Sequence, residues 1–160
     1  MMTQPVLESE RAAQAEIDPR IRPIAFGLVE LLFDLTFFIR ELYGDDLDCA
    51  QIMICVNDAT MRPFMEKLSA DSDVLRMRAP PEEIRGSISR RMIAEKTGIA
   101  RETVRRKVAM LIEAGLLVAD EEDGVRVVPK LDDPQTCKIL EAGHAAVKRY
   151  MTLVGSYGVD

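Results

Sequence analysis

The chain has 160 residues, 48% hydrophobic and 30% charged, with 27 Asp and Glu against 21 Lys and Arg and a formal charge of −6. That composition supports a real core and excludes a globally disordered chain, and with no Trp, three Tyr and five Phe it offers no stacking platform for single-stranded nucleic acid. Cys49, Cys55 and Cys137 form no C-x-x-C pair and His144 has no nearby cysteine, so no zinc site, other metal site or disulfide framework is expected and a reducing cytoplasm suits the chain.

Residues 1–20 are polar and mixed in charge, which predicts a flexible tail without the basic start and apolar run of a signal peptide. Pro23 suits a first helical turn and Gly44 a stop, so a helix is expected to run to Tyr43. Its centre, "IAFGLVELLFDLTFFI" (Ile24 to Ile39), is apolar on nearly every side except the Glu30/Asp34 strip. Sixteen residues with two acids are too few and too charged to span a bilayer. A helix this apolar needs cover all round, from its own chain or a second copy. Asp46 or Asp48 can cap a second helix through Cys49, Ile52 and Val56, which Pro63 is expected to break or kink, with a further piece ending near Leu68. Residues 21–69 thus read as helices for dimerisation and support. "SADSDVLRMRAPPEE", Ser69 to Glu83, reads as a loop.

Residues 70–130 have a different pattern. Gly86 to Ile88 is long enough for one small strand, and Ser89 can cap a helix from Arg90 to Lys96. Gly98 marks a tight turn before a helix from Arg101 to Ala114, closed by Gly115. "LLVADEEDGVRVVP" reads as a hairpin, with strands Leu116 to Ala119 and Val125 to Val128 around the loop Asp120 to Gly124. Asp133 and Pro134 then open a last helix, 131–155 with its lead-in, in which Ile139, Leu140, Gly143, Ala146, Val147, Tyr150, Met151 and Val154 recur at helical spacing. There is no internal repeat.

From Arg85 to Lys107 there are eight basic and two acidic residues, a local +6 that leaves −12 on the rest. Such segregation predicts a partner with fixed negative charge. Two short helices joined by a Gly-containing turn form a helix-turn-helix: Ala94 is small where the helices approach, and Ile93, Ile99 and Val104 would meet between them. Val104, Val108, Leu111 and Ile112 continue one apolar face down the second helix. At 100° per residue the opposite face is led by Arg106, flanked by Glu102, Thr103, Met110 and Glu113, with Arg101, Arg105 and Lys107 on the shoulders. Outward side chains of such a helix reach base edges and shoulder cations reach phosphates. Arg106 suits a guanine, Glu102 a cytosine amino group, and Thr103 a phosphate or thymine methyl.

"ISRRMIAEKTGIARETVRRKVAMLIEAGLLV", Ile88 to Val118, resembles the winged helix-turn-helix of bacterial transcription regulators, with the MarR-like and GntR-like groups nearest. The shared positions are Ala94 and Gly98, Arg101 and Thr103-Val104, and Leu111, Gly115 and Leu116, within 40 to 45 residues including the hairpin, a little over a quarter of the chain. The resemblance implies a mainly α protein with a winged helix-turn-helix core, a β-hairpin wing and flanking N- and C-terminal helices. It further implies a homodimer that binds an inverted-repeat operator in duplex DNA, as a sequence-specific transcriptional regulator. Ala100 departs from the usual Ser cap, and Lys107 stands at an inward-leaning site more often small or apolar, where its stem can pack while the ammonium snorkels. The wing tip is Asp120, Glu121, Glu122 and Asp123 with Arg126 as its cation, so the wing is expected to stay off the DNA or touch it only through Arg126. The candidate DNA-binding residues are therefore Arg90, Arg91, Arg101, Glu102, Thr103, Arg105, Arg106, Lys107 and Arg126. Glu102 and Arg106, spaced i, i+4, can alternatively pair with each other. Phe33, Phe37 and Phe38 are assigned to core or dimer packing ahead of an effector pocket, so a small-molecule effector has no residues assigned to it. The competing reading is a winged helix that binds protein. No nucleophile–base pair, phosphate-cradling Gly loop or metal spacing marks an enzyme, and no cofactor is implied.

Overall fold

The computed structural model describes residues 17–68, 72–77, 81–120 and 122–159. The expected tail, except for residues 17–20, lies outside the described residues, as do parts of the Pro-Pro loop and Glu121 of the hairpin. The described residues form a mainly α chain with five helices and a small antiparallel sheet. The helices are α1 (Ile21–Tyr43), α2 (Leu47–Lys67), α3 (Arg90–Thr97), α4 (Arg101–Glu113) and α5 (Pro134–Gly155), with single 3-10 turns at Asp73–Arg76 and Glu82–Ile84. The strands are β1 (Ile88–Ser89), β2 (Leu117–Ala119) and β3 (Gly124–Val127), in the order β1-β3-β2. The helices and strands expected from the sequence are present within a few residues of their predicted ends, with one exception at Pro63.

Two compact units emerge, one from the chain up to Leu35 together with His144 onward, the other Thr36–Gly143. The larger unit is organised around α2. Ile52 and Val56 of α2, Ile93, Val104, Val108, Leu117 and Val125 form its core, each 2% exposed or less. β3 is the central strand, pairing Val125 with Ile88 on one side and Val127 with Leu117 on the other. Asp46 caps α2 by accepting the Cys49 N–H at 3.1 Å, as one of the two expected caps.

Pro63 does not break α2, which runs on to Lys67. A proline inside a helix leaves the carbonyl four residues back without its usual donor, here Ala59. The segment entering β1 crosses α2 at that point. Gly86 donates its N–H to the Thr60 carbonyl at 3.0 Å, and a Cβ on Gly86 would stand 2.3 Å from the Ala59 oxygen and 3.0 Å from the Pro63 ring. The turn before Pro63 is thus covered by backbone that only glycine allows so close. One residue on, the buried Thr60 hydroxyl accepts the Val127 N–H at 3.2 Å, tying α2 to the central strand.

The smaller unit joins the first part of α1 to the last part of α5. Gly27 is buried against the Tyr150 ring, 3.1 Å from where a Cβ would be, and Arg149 donates to Asp34 at 2.6 Å. Ala146 and Val154 are buried here, while Phe26, Val29 and Met151 are more than half exposed. No helix among the described residues is long and apolar enough to cross a membrane.

Candidate nucleic-acid interface

α3 and α4 are set by local chemistry. The Ser89 hydroxyl accepts the Met92 N–H at 3.3 Å and starts α3. Gly98 ends it in the left-handed region, at φ 74°. Thr97 locks the turn: its hydroxyl donates to the Ile93 carbonyl at 2.7 Å and accepts the Ile99 N–H at 3.3 Å. α4 begins at Ala100 with no side-chain cap and ends before Gly115, at φ 69°. Val104, Val108 and Leu111 face inward, and Ile99 and Ile112 pack beside them.

The outward face of α4 carries Glu102, Arg106, Met110 and Glu113, all exposed, with Thr103 half-buried. Arg101 and Arg105 flank it, and Arg91 of α3 is exposed too. Most of these cations are already engaged. Glu95 accepts from Arg91 at 2.9 Å and stands 3.8 Å from Arg101. Glu102 takes Arg105 in a two-point fork, with Nη2–Oε1 2.6 Å and Nε–Oε2 2.9 Å. In place of the i, i+4 pair of Glu102 with Arg106 there is an i, i+3 pair, in which one edge of the Arg105 guanidinium meets both carboxylate oxygens. The hydrogen bonds from Arg91 and Arg105 hold the Glu95 and Glu102 carboxyls below their usual range. Arg106 has no ion-pair partner among the described residues.

Lys107 does not join this surface. It is 9% exposed and its ammonium donates to Asp46, with Asp48 at 3.8 Å. Residue 107 follows Val104 by three and precedes Leu111 by four, on the buried stripe, so its cation reaches the start of α2. Lys107, expected among the DNA-binding residues, is instead buried and bridges α4 to the start of α2. The Lys107 bond, with the Cys49 N–H, holds Asp46 down at about 2.

The hairpin has its expected strands, and its acidic loop is held by contacts of its own. Asp120 is a turn-former: its carboxylate accepts the N–H groups of Gly124 at 2.7 Å and Glu122 at 3.1 Å. With the Ser87 hydroxyl these bonds keep its carboxyl below the ordinary range. Asp123 takes a left-handed conformation, φ 62°, and its carboxylate and carbonyl both accept from Arg90. Arg126, expected as the cation of the tip, is half-buried and 3.8 Å from Asp120. Arg90 and Arg126 are thus both directed to carboxylates of the hairpin. Across Arg85 to Lys107, eight cations face six carboxylates within 4.0 Å of them (Asp46, Asp48, Glu82, Glu95, Glu102 and Asp123), so the linear +6 becomes +2 in space.

Elsewhere, Cys49 is buried, Cys55 and Cys137 are half-buried, and all three are free thiols. Burial pushes the Cys49 and Cys55 thiols up, away from thiolate chemistry. His144 is exposed on α5, and no group of metal-ligating side chains occurs among the described residues. The sequence reading missed Thr60 and Thr97 as structural hydroxyls. Thr97, directly before the turn glycine, carried a legible signal in the preference of threonine for local backbone bonds; Thr60 carried none. No family model, curated protein or solved structure matches the chain.

Proposed function

We propose that the chain is a sequence-specific duplex-DNA-binding regulator, in which α3, α4 and the hairpin act as a winged helix-turn-helix and α4 is the recognition helix. Arg106 carries the reading: it is exposed and makes no ion pair among the described residues, on the outer face of the second helix of a helix-turn-helix, where a guanine edge is read. The flanking cations support it. Arg91, Arg101 and Arg105 have side chains at 73%, 73% and 68% exposure, and ion pairs so exposed contribute about 0–1 kcal/mol. A phosphate can replace their glutamates at little cost.

The regulator is a homodimer in this reading. The apolar residues exposed on α1 and α5 (Phe26, Val29, Val147 and Met151) supply the surface a second copy would cover. A two-fold dimer presents recognition helices to half-sites about 34–36 Å apart, which calls for an inverted-repeat operator.

Binding to a pool of random duplexes tests the reading, at about 50 and 200 mM salt, with wild type and Arg105→Ala/Arg106→Ala. The expected result is binding that weakens steeply with salt and is lost in the double variant. Failure of the wild type to bind at the lower salt rejects the DNA reading. The alternative is then a protein-interaction module, and the pairing of α3 and α4 cations with Glu95, Glu102 and Asp123 is the observation that favours it.

A further inference from the structure

The larger unit contains a cavity of about 440 Å³, within the range of small-molecule sites. It lies between the end of α1, α2, the foot of the hairpin and the first turns of α5, well apart from the outer face of α4 in sequence and element. Its wall is mostly apolar, with Leu42, Met61, Leu116, Val128 and Ile139 among the lining residues and the Tyr43 ring beside them. Burial raises the Tyr43 phenol above its ordinary pKa, in keeping with a dry wall.

One cation is set deep in this wall. The Arg85 side chain is only 7% exposed. Its Nη2 donates to Glu82, whose own side chain is 79% exposed, at 3.1 Å, and its Nη1 to the Val127 carbonyl at a long 3.5 Å. Its Nε is buried and has no hydrogen-bond partner among the described residues. A buried N–H without an acceptor is a standing cost, greater on a charged group. The other charged groups of the lining, Glu41, Lys130 and Asp133, are exposed at the mouth, and Asp133 is engaged by the Thr136 N–H and hydroxyl at 2.9 and 2.7 Å. Charge at depth is therefore set by Arg85.

We infer that this cavity is a binding site for a small amphiphilic anion, an apolar body ending in a carboxylate that Arg85 receives through Nε. A carboxylate matches the guanidinium edge with two acceptors, and the apolar wall takes the rest of the molecule. Because Arg85 also touches the Val127 carbonyl of β3, an anion seated on it acts on the foot of the hairpin. The inference does not rest on the DNA reading, and its test contains no nucleic acid.

The full chain is titrated by calorimetry with octanoate, octanol and octylamine, which share a chain and differ in the head. Octanoate is expected to bind at least tenfold more tightly than octanol, with octylamine the weakest. The chain has no Trp, so Tyr43→Trp places a single reporter in the cavity wall, and its emission should change on octanoate addition. Arg85→Met is expected to erase the preference for octanoate over octanol while circular dichroism stays native. If that variant does not fold, the order of the three ligands on wild type decides alone. Equal binding of the three, no binding at millimolar concentrations, or octanoate binding that leaves the Trp emission unchanged overturns the inference.

Discussion

Replacing Lys107 by Met separates a structural role from a nucleic-acid role at one position. The side chain is 11% exposed, and its ammonium meets Asp46 and Asp48, themselves 45% and 47% exposed. A buried ion pair broken on one side costs about 3–5 kcal/mol, and a surface pair about 0–1 kcal/mol. With acids half in water, the loss for Lys107→Met is about 1 kcal/mol, because methionine retains most of the buried stem. Lys107→Ala also removes the three methylenes of the lysine stem beyond Cβ, at about 0.8 kcal/mol each, for a total of about 3 kcal/mol. Urea denaturation at neutral pH measures both. The difference between wild type and Lys107→Met should also depend on pH. Asp46 is depressed to about 2 in the folded chain, against about 3.9 unfolded. Its pairing therefore stabilises fully above about pH 4 and is lost as pH falls through 2, so the gap should close in that interval. At the basic end, the bond to Asp46 raises the Lys107 pKa. That contribution is present below the unfolded lysine pKa and is lost as pH rises through the folded value. DNA affinity and its salt slope should be unchanged in Lys107→Met, whereas Arg105→Ala should reduce the slope by about 1 and Arg106→Ala should cost about 1–3 kcal/mol and relax base specificity. Wild-type stability in Lys107→Met, or a salt slope lowered as in Arg105→Ala, would refute the assignment of Lys107 to the interior.

Three further substitutions probe other parts of the fold and interface. Gly86→Ala sets a methyl group 2.3 Å from the Ala59 oxygen and disturbs the Gly86–Thr60 hydrogen bond; a destabilisation of about 2–4 kcal/mol is expected in urea melts, and a loss under 0.5 kcal/mol would show that the crossing at Pro63 yields easily. Ala100→Ser supplies the side-chain cap that α4 lacks and should stabilise by about 1 kcal/mol, raising the midpoint of thermal unfolding by roughly 2–4 °C. Asp123→Asn releases Arg90 from the hairpin carboxylate and should tighten DNA binding at low salt with a steeper salt slope; weaker binding would mean that the Arg90–Asp123 link positions the hairpin for DNA.

The sequence by itself determined the helices, the hairpin and their order along the chain, because each depends on residues close along the chain. Ser89 before an apolar period, Gly98 and Gly115 at left-handed positions, and Asp133 before Pro134 act within a turn of themselves. The inward stripe of Val104, Val108 and Leu111 follows from helical geometry alone, whereas Lys107, expected on the shoulder of the outward face, is buried with that stripe. Tertiary structure decided which charges remain available. Asp46 lies 61 positions from Lys107 and Asp123 lies 33 from Arg90, so the carboxylates that reduce the linear +6 to +2 are invisible to any local count. Tertiary structure also decided Pro63, which reads as a break or kink in sequence, while α2 continues through it with Gly86 packed over the preceding turn and Thr60 bonded to β3. Arg85 makes the same point for the cavity. In sequence it is one basic residue beside a glycine, and only the packing of α1, α2, α5 and the hairpin around it makes it a buried cation in an apolar wall. Propensity acts over a few residues and can be read from them. Burial and ion pairing are set by whichever distant groups the fold brings within 4 Å.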